Sequence, residues 1–96
     1  MSRLFLVTFD GFPDDKDALL RFLDDQSEIT DWHTSMSNTV FVETSLALNE
    51  LLETLRKGPI SSFIALEIRP KEYRETLAGW FPRATWEFIQ RKATAT

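Results

Sequence analysis

Apolar residues recur along this chain in two rhythms, one of period two and one near 3.6. Arg3 to Phe9 is a short run rich in Phe and Val, closed by Asp10, Gly11 and Pro13. Phe5, Val7 and Phe9 alternate with Leu4 and Leu6, and both sets are large, so the run predicts a strand buried on both faces. Behind Pro13, DKDALLRFLDDQ places Leu19, Phe22 and Leu23 at helical spacing. Aspartates fill its first turn, where the dipole favours them, and Asp14 or Asp15 is the expected cap. ITDWHTSMSNTVFVET is β-branched and aromatic, which predicts two strands turning near Ser37-Asn38. In LALNELLETLRKG, Leu48, Leu51, Leu52 and Leu55 form a helical stripe, with Ser45 as expected cap and Gly58-Pro59 as the stop. SFIALEIR alternates Ile64, Leu66 and Ile68 on one face and ends at Pro70. The last stretch reads as irregular, then helical from about Thr85, with RKATAT at 91–96 as a frayed end.

Strand, helix, strand, strand, helix, strand and a further C-terminal helix make an α+β pattern of the ferredoxin-like βαββαβ type. Right-handed crossovers then give an antiparallel sheet in the order 4-1-3-2. Strands 1 and 3 are central in that order, and LFLVTF and TVFVET are more apolar than the second strand, TDWHTS. One domain over 1–92 with a disordered tail at 93–96 accounts for the length. The two crossover helices shield one face of the sheet. The other face also carries Leu or Phe on strand 1, and large exposed apolar patches mark interfaces. Either the C-terminal segment with Tyr73, Trp80 and Trp86 folds over it, or two chains pair through it as a homodimer.

Composition narrows the chemistry. There is no cysteine among the 96 residues, so disulfides, thiolate metal sites and cysteine nucleophiles are excluded. No signal-peptide pattern and no membrane-spanning apolar run is present, so the expectation is a cytoplasmic protein with no membrane partner. The net charge is -4, which disfavours a protein whose affinity comes from phosphate contacts. The charge is uneven: acidic residues crowd Asp10 to Asp31, and basic ones are in excess from Arg56 to Lys92.

Asp10 is the leading candidate for chemistry. It ends the central strand, at the end of the sheet that also holds the Ser37-Asn38 turn and the Gly58-to-Ser62 loop. A carboxylate there can contribute to a Mg²⁺ site, because Mg²⁺ takes oxygen ligands and uses one or two protein carboxylates. It can equally begin an Asx-type turn into Gly11 or complement the helix N-terminus. Asp14, Asp15 and Asp17 lack the glycine and full alternation of a calcium loop and read as capping residues. His33, the only histidine, has no identifiable catalytic partner; it shares a strand face with Asp31, and an ion pair between them accounts for it. Trp80, Phe81, Trp86 and Phe88, interleaved with Arg83 and Arg91, have the composition of a base-stacking surface, but their spacing suits core packing better.

LFLVTFD leading into a helix, then DWHTSMSNTVFVET, FIALEI and GWFP, resembles a family of small bacterial proteins called SinR-like. These are related to the CRISPR-associated adaptation proteins and to virulence-associated protein D. The resemblance covers nearly the whole chain and implies a ferredoxin-like homodimer. In the wider superfamily an aspartate ends strand 1, and in some members it is proposed to bind a metal for ribonuclease or nuclease activity; Asp10 matches that position. Two functions follow as expectations. The first is a non-catalytic dimeric interaction module, with no cofactor and an RNA or protein partner. The second is a Mg²⁺-dependent ribonuclease, toxin-like, using paired Asp10 carboxylates. The acidic loop after Asp10 and the pI of about 4.9 favour the first.

Overall fold

The computed structural model describes residues 2–69 and 82–93. Its elements are β1 (Arg3–Phe9), α1 (Pro13–Asp24), β2 (Ile29–Met36), β3 (Thr39–Thr44), α2 (Leu48–Arg56), β4 (Phe63–Ile68) and α3 (Arg83–Ala93). The four strands form one sheet in the order β2-β3-β1-β4, and each neighbouring pair is antiparallel. This α+β arrangement has the expected strand order, with β1 and β3 at the centre.

The period-two alternation of β1 sorts its side chains between two layers. Phe5, Val7 and Phe9 join Val40 and Val42 of β3 in a core beneath α1 and α2, whose Leu19, Leu23, Leu51 and Leu55 are fully buried. The register pairs Phe5 with Val42 and Val7 with Val40, so both strands turn the same face to the helices. Leu4, Phe41 and Ile68 lie on the opposite face and pack against Phe88 and Ile89 of α3. α3 is thus the second cover that a strand greasy on both sides calls for. Burying each such side chain contributes about 1.5–3 kcal/mol relative to exposure, which is why each face of β1 packs against helices.

Both crossover helices start by one device. Their N-cap residues, Phe12 and Ala47, offer no side-chain acceptor. Instead a carboxylate three residues on reaches back: Asp15 accepts from the Phe12 N–H at 2.7 Å, and Glu50 accepts from the Ala47 N–H at 2.9 Å. Asp15 therefore does cap α1, but from inside the first turn. Ser45 does not cap α2, which begins at Leu48, beyond its reach; Thr44 instead accepts the Leu46 N–H. Gly11 makes room for the Asp15 device, since a Cβ there would stand 2.8 Å from the very oxygen that accepts the Phe12 N–H.

α3 begins at Arg83 and runs through Arg91 and Lys92 to Ala93, so the frayed end does not start at residue 91. Tyr73, Trp80 and Phe81 lie outside the described residues, as do the last three positions of the chain.

Candidate functional site

The carboxyl end of β1 is stitched to its neighbours by the β2–β3 turn. Asn38 Nδ2 donates to the Phe9 and Gly11 carbonyls at 3.0 and 3.2 Å, and the Asn38 carbonyl accepts from the Phe9 N–H and from Thr8 Oγ1. On the other side the Asp10 N–H donates to the Ser62 carbonyl at 3.0 Å. Lys16 Nζ donates to the Met36 carbonyl and fastens α1 to the same turn. These bonds frame an open depression of about 420 Å³ lined by Thr8, Phe9, Asp10, Asn38, Ser62, Phe63 and Ile64.

Asp10 is exposed on the rim, and its carboxylate has no hydrogen bond or ion pair among the described residues. The turn and cap duties open to it are performed by Asn38 and Asp15. The arrangement does bring together the turn, the Ser62 loop and Asp10, as the strand order requires. Among the described residues, however, one chain supplies a single carboxylate there. Among the described residues no group of three or more His, Cys, Asp or Glu side chains is placed to hold a metal ion. The donor set that the described residues of one chain offer does not fit a resident Mg²⁺. Asp14 and Asp17 lie in the first helical turns, where charge complements the dipole.

A second polar constellation joins α3 to the edge strand β2. His33 Nε2 lies 2.8 Å from the fully buried Thr85 Oγ1, and that hydroxyl donates to Ser35 Oγ at 2.8 Å. Imidazole and hydroxyls each can donate or accept, so His33, Thr85 and Ser35 form one continuous hydrogen-bonded chain. The imidazole also stacks on Phe88, with centroids 5.2 Å apart. Asp31 does not pair with His33. Its carboxylate takes Lys92 Nζ at 3.1 Å, and Lys92 reaches Glu43 at 3.3 Å. Burial works against the Lys92 charge, but its hydrogen bonds to Asp31 and Glu43 hold the ammonium above the ordinary lysine value. His33 is a structural fastening with its ring against a helix. Phe88 is buried and Trp86 half-buried against the same core, so these two aromatics pack rather than offer a stacking surface.

α3 does not cover the whole face. It lies over β1 and β2 and the strand between them, and leaves the β4 margin open. Ile64 and Leu66 there are 68% and 60% exposed, beside half-buried Leu6 and Thr8. Sequence alternation marked Ile64, Leu66 and Ile68 as one face; of the three, α3 shelters Ile68 alone.

Among the described residues no helix is long and apolar enough to cross a membrane. No family model, curated protein or solved structure matches this chain. The resemblance to the SinR-like proteins therefore rests on its own short motifs.

Proposed function

We propose that this chain is a non-catalytic interaction module on a ferredoxin-like scaffold, and that it self-associates through the strip of sheet that α3 leaves open. The exposure of Ile64 and Leu66 on an otherwise well-packed sheet carries this reading. The scaffold assignment is supported by the element order, by the sheet order, and by α1 and α2 sharing one face. The strip is uncharged, so two copies bring no like charges together across it, despite a net charge of -4 per chain. Burying the remaining surface of four such side chains is worth about 4–6 kcal/mol, against an association cost of similar size, so the dimer is expected to be weak and concentration-dependent.

Sedimentation velocity over a range from low micromolar to near millimolar tests this. The wild-type sedimentation coefficient rises with concentration, and Leu66→Lys holds it at the monomer value. A wild type that stays monomeric throughout the range refutes the reading.

The unpartnered Asp10 carboxylate on its open depression supports one competitor, a metal-dependent ribonuclease. It requires a second chain to bring its own Asp10 alongside, because the described residues of one chain lack the ligands.

A further inference from the structure

The hydrogen-bond phase of the sheet points to how two copies meet. Phe9 donates its N–H to Asn38 on the β3 side, and Asp10 donates to Ser62 on the β4 side. Odd residues of β1 therefore bond toward β3 and even ones toward β4. The register pairs Thr8 with Ile64, Leu6 with Leu66 and Leu4 with Ile68. In an antiparallel ladder, alternate residues bond to opposite sides. The even residues of β4 thus spend their backbone groups on β1. The odd residues Phe63, Ala65 and Glu67 turn N–H and C=O outward, at a sheet margin that no strand among the described residues pairs.

From this we propose that two copies join edge to edge, β4 against β4, antiparallel about a two-fold axis at Ala65. This rests on the self-association reading above and specifies its geometry. A two-fold pairing that uses the outward groups must match odd residues with odd. An axis at Glu67 would set two carboxylates directly opposite each other, which is destabilising. An axis at Leu66 would oppose Ile64 to Ile68, which α3 already shelters. The axis at Ala65 opposes Ile64 to Leu66 of the partner, twice, in the close non-hydrogen-bonded pairs whose side chains touch. It pairs the two most exposed aliphatic side chains of the sheet with each other. It also carries the exposed Arg69 of each chain to the Asp10 end of the other, so charges of opposite sign share each end of the seam.

Face-to-face stacking is disfavoured by α3. That helix stands above the sheet beside the strip, and its exposed residues include Arg83, Glu87, Gln90 and Arg91, with Arg83 Nε bonded to Glu87 at 3.0 Å. A second sheet laid on this face would have to bury that charged surface. Among the described residues, approach in the plane of the sheet meets no such obstacle. The edge geometry also keeps the two Asp10 carboxylates apart. Three strand spacings and about six residues of rise put them roughly 20 Å or more from each other, so this dimer assembles no shared cation site.

The test uses introduced thiols, which are the only ones in a chain without cysteine. Ile64→Cys and Leu66→Cys proteins are mixed at concentrations where the wild type is dimeric and oxidised with diamide. The mixed disulfide is expected at least ~5-fold above either homodimeric one. Opposed residues in a non-hydrogen-bonded pair lie about 4.5 Å apart, whereas Ile64 and its own copy lie beyond the ~7 Å limit for bridging. Ala65→Pro is the companion variant. It removes an outward N–H that β1 does not use, so the fold persists by circular dichroism while the sedimentation dimer is lost. Equal yields of all three disulfides, or a dimer that survives Ala65→Pro, overturn the edge geometry and leave self-association standing. A wild type that never dimerises overturns both.

Discussion

Replacing Lys92 by methionine probes the fastening of α3 most directly. The ammonium sits 3.1 Å from Asp31 and 3.3 Å from Glu43. At an effective dielectric of ~20 each pair attracts by about 5 kcal/mol before desolvation is counted. Desolvation of three charged groups offsets most of that. What the substitution leaves behind decides the outcome. Glu43 is 9% exposed and keeps one donor, Thr30 Oγ1 at 2.8 Å. Asp31 is more exposed and can be rehydrated. The methionine stem preserves most of the packing, so the loss is chiefly that of a nearly buried carboxylate without its counter-charge, about 2 kcal/mol. Urea unfolding should show a lower midpoint at an unchanged slope, and a melting temperature lower by roughly 10 °C for a domain of this size. Adding Glu43→Gln to Lys92→Met should restore about half of the loss, because the buried charge is gone. The pH dependence has a definite sign. Lys92 is raised above its ordinary value of 10.5, so its contribution is intact below that value and fades as pH climbs through the higher folded one. Wild type should therefore lose its advantage over Lys92→Met only in strong alkali. A single-variant loss under ~0.5 kcal/mol, or single losses that simply add in the double variant, would refute this account.

Asp15→Ala should cost about 1 kcal/mol in urea unfolding, through loss of the reach-back bond to Phe12. Gly11→Ala, whose methyl would crowd the same oxygen, should cost a similar amount and not add to it; full additivity would mean the two act separately. Thr85→Val keeps the shape but leaves His33 and Ser35 without their buried partner, at about 1–2 kcal/mol; an unchanged midpoint would show that the hydroxyl merely fills space. Incubated with RNA and Mg²⁺, wild type and Asp10→Asn should give the same uncut pattern on a denaturing gel. Cleavage by the wild type that Asp10→Asn abolishes would instead establish the ribonuclease reading.

Local rhythm in the chain was enough to place every described element and the strand order. Period-two alternation in Arg3–Phe9 and the leucine stripe of Leu48–Arg56 both depend on near neighbours, and near neighbours are what a sequence displays. The presence of large residues on both faces of β1 also told that two layers must cover it. Asp10 could be located at the end of the central strand for the same reason. The tertiary structure alone decided the partners. Lys92 meets Glu43 across 49 residues, His33 meets Thr85 across 52, and Asn38 reaches Phe9 across 29, contacts with no local signature. Even the Asp31–His33 pairing that adjacency on one strand face suggested gave way, because α3 arrived with a lysine for one and a threonine for the other. How far α3 extends across the sheet was likewise a matter of packing. A helix about 10 Å wide cannot roof four strands spaced 4.8 Å apart, and the uncovered margin fell on β4, where Ile64 and Leu66 stand in the open.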